Sequence, residues 1–143
     1  ISTNLEAMKQ VVKIQYYISA CSNDAMQYAV LEAMEQANDY PSVMAAEFQQ
    51  RCNLIVDRLN AMPGVQCHRP KGAIYVFPKV DVPGMNSEDI AMELLRDGVL
   101  CSPGSAFGPS GEGHLRFAYT ISQADIARGM DKVEATLKRL QQA

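Results

Sequence analysis

An arginine that follows a glycine-rich loop is the strongest candidate for binding chemistry in this chain of 143 residues. Gly104, Gly108, Gly111 and Gly113 lie in one loop between two predicted strands, and Arg116 stands on the second strand. Glycines let a backbone approach a ligand closely, and an arginine fixed on a strand can bind a carboxylate through two parallel hydrogen bonds. On the residues alone, a flexible loop and a solvent-facing arginine remain the more common interpretations.

The histidines and cysteines do not indicate a metal site or a nucleophile. Neither His68 nor His114 has an Asp, Glu or Cys at a metal-binding spacing. A serine or cysteine nucleophile needs a base and an orienting group, and the sequence nominates neither. The four cysteines form no C-x-x-C pair, so we expect buried reduced thiols and no disulfide. These cysteines are Cys21, Cys52, Cys67 and Cys101.

The composition is that of an ordinary globular chain. Its net charge of −3, from 13 basic and 16 acidic residues, argues against nucleic acid or an anionic membrane as the main partner. No apolar run approaches the roughly 18 residues of a membrane-spanning helix, and no signal peptide is visible. We therefore expect a cytoplasmic protein. Because the first residue is Ile1 and not Met, we also expect a longer parent protein.

Helices dominate the prediction for the first half of the chain. Residues 11–14 could belong to a strand or a short helix, and a helix is expected from Asp24, its N-cap, to a break at 38–41. A longer helix is predicted over residues 41–62, where apolar residues recur at spacings of 4, 4, 3, 4 and 3. Its apolar stripe consists of Met44, Phe48, Cys52, Ile55, Leu59 and Met62.

Short strands are predicted where the helical period ends. Residues 65–69, 73–80, 99–102 and 114–120 are rich in β-forming residues and are separated by Pro and Gly turn signals. Strand alternation divides the last of them into two faces. Leu115, Phe117 and Tyr119 would face one way, and His114, Arg116, Ala118 and Thr120 the other.

Two further helices complete the pattern. Ser87 can cap a helix that Gly98 ends, and residues 122–125 have the spacing of a capping box at the start of the last helix. Residues 41–143 therefore read as α-β-β-α-β-β-α. This order predicts an α/β fold of the α+β type, in which helices cover one face of a small, mainly antiparallel sheet.

Three segments resemble motifs of the class I/II aminotransferases of the aspartate aminotransferase type. Residues 71–77 (KGAIYVF) resemble the family's G-(A/G)-(F/I)-Y strand, and residues 98–108 (GVLCSPGSAFG) resemble its G-V-x-x-x-P-G-x-x-F-G segment. Residues 113–119 (GHLRFAY) are similar to G-x-x-R-(I/L/F)-(S/A)-(Y/F). The three occur in the family's order and spacing, and residues 22–27 resemble an upstream loop and helix start.

The resemblance implies a domain organisation and a role for the arginine. Residues 41–143 would be the aminotransferase small C-terminal domain with linking helix 41–62, and residues 1–40 the end of the large, cofactor-binding domain. Arg116 matches the family's arginine that binds the substrate α-carboxylate, which reverses the preference for a solvent-facing residue. Tyr75 and Phe107 are expected to be core or loop-packing residues.

The resemblance also implies chemistry that this chain does not carry by itself. Members of the family hold pyridoxal phosphate as a Schiff base on a lysine in a Ser-Lys segment, followed by an arginine that binds the phosphate. We expect both to precede this chain, which leaves no catalytic, cofactor-binding or metal-binding residue in it. The parent protein would be a homodimer that transfers an amino group between an amino acid and a 2-oxo acid, and the chain without its large domain would be inactive.

Two other functions stay open at this point. The chain could be a non-catalytic α+β module with a regulatory or interaction role. It could also be a piece of a pyridoxal-phosphate lyase or synthase of the same fold, since such enzymes share a matching arginine.

Overall fold

The computed structural model describes residues 3–36 and 39–142, and the chain divides into two compact units, Ile1–Ser42 and Val43–Ala143. The first unit contains helices α1 (Leu5–Ser19) and α2 (Asp24–Gln36). Residues 11–14 are therefore helical, and their alternative interpretation as a strand is wrong. Of the predicted break at 38–41, residues 40 and 41 already belong to the next helix, α3 (Tyr40–Asn60), and residue 38 lies outside the described residues.

Asparagine side chains cap both helices of the first unit. The Asn4 side chain accepts a hydrogen bond from the Ala7 amide at 3.1 Å, and the Asn23 side chain accepts one from the Met26 amide at 3.2 Å. The prediction of Asp24 as the cap of α2 was wrong by one residue, because Asp24 already belongs to the first turn. An acidic residue there still favours the helix, whose N-terminus carries partial positive charge.

The second unit begins within the long helix α3 (Tyr40–Asn60), close to the predicted 41–62. Its second half buries Cys52, Ile55, Val56 and Leu59. The helix stops before Gly64, whose φ of +72° is a left-handed conformation that glycine adopts without steric cost.

Five short strands follow, and each hydrogen-bonded pair of neighbouring strands is antiparallel. Strands β1 (Val65–Gln66) and β3 (Lys79–Val80) form one ladder. A second sheet consists of β2 (Tyr75–Val76), β4 (Ser102–Pro103) and β5 (Leu115–Ala118). Its order is β2-β5-β4, with β5 central. A bridge between Lys79 and His114 joins the two sheets.

The predicted strand over residues 73–80 is divided in two by Pro78. Because proline has no amide N–H, it cannot donate to a ladder, and the chain passes here from one sheet to the other. The Pro78 carbonyl still accepts a hydrogen bond from the Leu115 amide at 3.0 Å. Ala73, before β2, has a φ of +64°, and its carbonyl accepts a hydrogen bond from the Tyr119 hydroxyl at 2.8 Å.

Helices α4 (Ser87–Arg96) and α5 (Gln123–Gln141) complete the second unit. The predicted start of α5 is confirmed with Ser122 as its cap, since the Ser122 hydroxyl accepts a hydrogen bond from the Asp125 amide at 3.1 Å. The arrangement differs from a full capping box, because the Asp125 carboxylate accepts from the Ser122 hydroxyl, at 2.6 Å, and not from the Ser122 amide. The cap of α4 is not Ser87, as predicted, but Asn86, which accepts hydrogen bonds from the amides of Glu88 and Asp89.

One hydrophobic core lies between the helices and one face of the strands. Val76, Leu115 and Phe117 contribute from the sheet, while α3 and α5 contribute residues such as Leu59 and Val133. The predicted α+β fold, an antiparallel sheet with helices against one face, is confirmed. The opposite face of the sheet carries Tyr75, Phe77 and Arg116, as strand alternation requires.

The cysteines are free thiols, as predicted, but not all are buried. Cys52 and Cys67 belong to the core and Cys101 is half-buried. Burial raises the pKa of the Cys67 and Cys101 thiols to about 11, which keeps both protonated at neutral pH. Cys21 is exposed, contrary to the prediction, because it lies between α1 and α2, neither of which buries a residue.

We expect the 143-residue chain to self-associate through the first unit. None of the described residues of α1 and α2 is buried, and large apolar side chains such as Tyr17, Ile18 and Met34 are exposed. Apolar surface of this extent usually marks an interaction site or an aggregation liability. Light scattering should show a mass that rises with concentration, and replacing these three residues by Ser should reduce the rise, whereas Gln10→Ser should not. A monomer at every concentration would contradict the prediction.

Candidate functional site

The candidate site lies on the face of β5 that points away from the core. Leu115 and Phe117 are 1% and 4% exposed, whereas Arg116 between them is only half-buried on the opposite face. β5 is the central strand of its sheet, so Arg116 has neighbours from both flanking strands. Both neighbouring strands therefore hold the backbone of Arg116, while its long cationic side chain remains partly exposed.

Three side chains contact the Arg116 guanidinium. Its Nη2 donates a hydrogen bond of 3.2 Å to the Ser102 hydroxyl, which lies opposite Arg116 in the β4–β5 register. The Arg116 Cζ lies 4.6 Å from the centre of the Tyr75 ring and 4.5 Å from the centre of the Phe107 ring. Both distances are within the range of a favourable cation–π contact. The guanidinium is thus held from two strands and one loop.

Further aromatic contacts extend from the arginine across the sheet. The Phe77 ring meets the Phe107 ring edge-on, with centres 5.9 Å apart. Phe77 also stacks on the His114 ring at 5.0 Å, and His114 Nδ1 lies 3.1 Å from the Glu112 carbonyl oxygen. Tyr75 and Phe107 were predicted to be core or loop-packing residues, but both rings are exposed in part and contact Arg116. Strand alternation places Tyr75 and Phe77 on the face of Arg116, but no sequence signal pairs Phe107 with it.

The glycine-rich loop is a compact support beside this cluster. It forms two short 3-10 turns, Gly104–Phe107 and Pro109–Gly111, and the Gly104 amide donates to the His114 carbonyl at 2.8 Å. The backbones of Gly104 and Gly111 touch, since a Cβ on either would overlap the carbonyl oxygen of the other. Two of its glycines are therefore required by close packing, and the loop is not an open connection between strands.

Glu112 fastens the end of the loop to helix α4. Its carboxylate accepts hydrogen bonds from the Ser87 amide at 2.7 Å, the Ser87 hydroxyl at 3.0 Å and the Gly113 amide at 2.9 Å. The buried Ser87 hydroxyl also accepts a hydrogen bond from the Ser105 amide at 3.3 Å. The amide hydrogen bonds from Ser87 and Gly113 lower the pKa of Glu112 below its ordinary value. Glu112 is not among the site residues predicted from the sequence.

Other parts of the second unit offer no competing site of the same kind. An apolar cavity of about 440 Å³ lies among residues such as Val99, Leu100, Ile121 and Ile126, but neither Arg116 nor the side chains around it line this cavity.

Among residues 3–36 and 39–142, no group of three or more His, Cys, Asp or Glu could hold a metal ion. Within the same ranges, no helix has the length and hydropathy needed to cross a bilayer.

Comparison with known proteins identifies the relatives of this chain. The aromatic-amino-acid aminotransferase 2 of Thermococcus litoralis is 34% identical over 134 residues, which cover 92% of this chain and 34% of that protein. The aspartate aminotransferase of Pyrococcus horikoshii is 34% identical over 93% of the chain and 35% of its own length. The chain belongs to the aminotransferase family. It spans about a third of the length of these aminotransferases.

The fold agrees with this family membership. The solved structure of an alanine aminotransferase from Pyrococcus furiosus superposes with a TM-score of 0.84 and 28% identity, covering 96% of this chain and 36% of that aminotransferase. No protein-family model matches the chain. The similarity to aminotransferases is therefore one of sequence and of structure over about a third of the length of the relatives.

Replacing Gly104 by Ala should disrupt the loop beneath the site. The added Cβ would lie 2.6 Å from the His114 carbonyl oxygen and closer still to that of Gly111, so backbone must move. We expect a loss of more than about 2 kcal/mol in the free energy of unfolding, measured by urea denaturation. Gly72→Ala is the matched control, because nothing lies within 4 Å of its Cβ position and its φ is not positive. Equal effects of the two substitutions would contradict the close packing.

Removing the charge of Glu112 should lower the melting temperature in a pH-dependent way. Because the folded state lowers the pKa of Glu112, its contribution to stability is complete above the ordinary value of 4.5 and is lost as pH falls through the folded pKa. Glu112→Gln should therefore melt below the wild type at pH 7, and the difference should shrink below about pH 4.5. Asp81→Asn, an exposed carboxylate that follows β3 and lies outside the helices, is the control and should show no such difference. A difference that is independent of pH would count against the carboxylate.

Proposed function

We propose that the protein to which this chain belongs is a pyridoxal-phosphate-dependent aminotransferase, which transfers an amino group between an amino acid and a 2-oxo acid. The observation that carries the proposal is the similarity to aminotransferases over 92% of the chain, with an oriented arginine on the open face of its sheet. The names of its relatives differ in the amino acid they specify, aromatic in one case and aspartate in another, so the proposal extends to the reaction and not to one substrate.

Arg116 is proposed to bind the α-carboxylate of each substrate in turn. A guanidinium has five N–H donors in a planar fork, and among the described residues Arg116 donates a single hydrogen bond, to Ser102. The remaining donors can form the paired, charge-assisted hydrogen bonds that suit a carboxylate. Arginine also stays protonated throughout the physiological range, so the same group can bind both amino acid and 2-oxo acid without a change of charge.

The residues of this chain do not fit pyridoxal phosphate by themselves. A Schiff base needs a lysine, and none of the six lysines follows a serine as the family motif requires. They are Lys9, Lys13, Lys71, Lys79, Lys132 and Lys138. When bound, the cofactor supplies the electron sink of the reaction, while the protein supplies orientation and charge. We therefore assign this chain a part in substrate orientation only, and we expect it to be inactive without the rest of the protein.

The proposed assembly follows from the same resemblance. Residues 41–143 would be the small domain, with its linking helix at 41–62, and residues 1–40 the last part of the large domain. The exposed apolar side chains of α1 and α2 suit a segment that other parts of a longer protein cover. The whole protein is proposed to be a homodimer, and the net charge of −3 of this chain is compatible with the proposed cytoplasmic location.

Replacing Arg116 by Ala in the full-length, cofactor-loaded protein should raise the KM for the amino acid. Loss of a charge-assisted pair costs enough to raise KM roughly 10- to 100-fold. Transamination should be followed as formation of the product amino acid, which also separates it from a lyase reaction. Arg116→Lys should recover only part of the loss, because an ammonium group cannot form the planar fork.

Arg96→Ala is the matched control for this experiment. Arg96 is an exposed arginine of α4 that pairs with Glu93 on its own helix, so its loss should leave KM unchanged. An unchanged KM in Arg116→Ala would reject the proposed role of that residue. Formation of a product other than a transaminated amino acid would reject the proposed reaction.

A further inference from the structure

We propose that Tyr75 and Phe107 are positioning residues that fix the plane of the Arg116 guanidinium, so that a single edge of it is presented to the substrate carboxylate. The inference rests on the proposed role of Arg116 and deepens it. It assigns a function in carboxylate binding to two aromatic side chains that sequence reasoning leaves as packing residues.

The first support is the geometry of the two rings. The Arg116 Cζ lies 4.6 Å from the Tyr75 ring centre and 4.5 Å from the Phe107 ring centre, and the rings come from different elements, β2 and the glycine-rich loop. Rings at these distances contact the guanidinium and take up space that water would otherwise occupy beside it. Ser102 then accepts from Nη2, which fixes rotation within the plane.

The second support is that the rings themselves are held in place. Tyr75 is on a strand and lies opposite Ala118 in the β2–β5 register, so its backbone is tied to the strand of Arg116. Phe107 meets Phe77 edge-on, and the loop that carries it is tied to α4 through Glu112 and Ser87. A clamp can orient a flexible side chain only if its own parts are fixed, and these contacts meet that requirement.

The third support is exposure. Tyr75 remains 40% exposed and Phe107 51% exposed, so these large rings do not serve mainly to fill the core. An arginine side chain loses much rotamer freedom when it binds a ligand. Rings that hold the guanidinium beforehand remove part of this cost from the binding step, as preorganisation does generally.

The experiment measures KM and kcat for the amino acid in the full-length holoenzyme carrying Tyr75→Leu or Phe107→Leu. Leucine keeps apolar volume but removes the ring face, so KM should rise roughly three- to tenfold while kcat changes less than twofold. Tyr75→Phe keeps the ring and should behave as the wild type. Phe48→Leu is the control, because Phe48 forms a ring contact with Arg51, at 5.2 Å, away from the site.

The same ring substitutions in an Arg116→Ala background test whether the rings act through the arginine. If they do, the second substitution should add no further rise in KM, since there is no guanidinium left to orient. A further rise in that background would show that the rings contact the substrate directly and would overturn the proposal. Melting curves accompany each variant, and Tyr75→Met and Phe107→Met replace any leucine variant that does not fold.

The outcomes separate this inference from the proposed function. If Arg116→Ala raises KM but neither ring substitution does so in the wild-type background, the positioning role is rejected and the carboxylate-binding role stands. If Arg116→Ala leaves KM unchanged, the proposed role of Arg116 fails, and the positioning role fails with it. A KM that rises for the leucine variants and stays normal for Tyr75→Phe and Phe48→Leu supports the inference.

Discussion

The alternation of side chains along β5 is the constraint on which the candidate site depends. Leu115 and Phe117 are committed to the core that the helices cover, so the residue between them must project from the other face of the sheet. A shift of the strand register by one residue would bury the Arg116 charge and expose both apolar neighbours, at a prohibitive cost. The packing that stabilises the fold therefore also determines where the arginine lies.

The loop before β5 converts this fixed position into a fixed orientation. Its two short turns can approach each other only because Gly104 and Gly111 lack side chains, and the compact loop places Phe107 against the guanidinium. Glu112 fastens the loop to the first turn of α4, where free backbone amides and the helix dipole favour a carboxylate. Helix α4 thus contributes to the site through the loop that it holds in place.

Sequence patterns predicted the parts of this structure that depend on local periodicity. The long helix α3, the N-cap at Ser122 and the two faces of β5 all follow from spacing and propensity. The caps at Asn23 and Asn86 were missed by one residue, since several adjacent polar residues could serve. Pro78 divides residues 73–80 between two sheets, although the whole segment is rich in β-forming residues. The contact of Phe107 with Arg116 depends on a loop path that no periodic pattern encodes.

Under the proposed function, the division of chemical labour in a cofactor enzyme explains how a chain that spans about a third of its relatives' length can carry a group for carboxylate binding. An electron sink needs a covalently held cofactor, and that requirement concentrates in the few residues that hold it. Binding a carboxylate needs only a charged fork in a fixed orientation, and such a fork can be built from one strand, its two neighbours and one loop. All four parts lie between residues 75 and 118 of this chain, where the three strands form one hydrogen-bonded sheet. Residues of this chain alone therefore form the arrangement around Arg116, whereas its proposed use in a reaction depends on residues elsewhere in the protein.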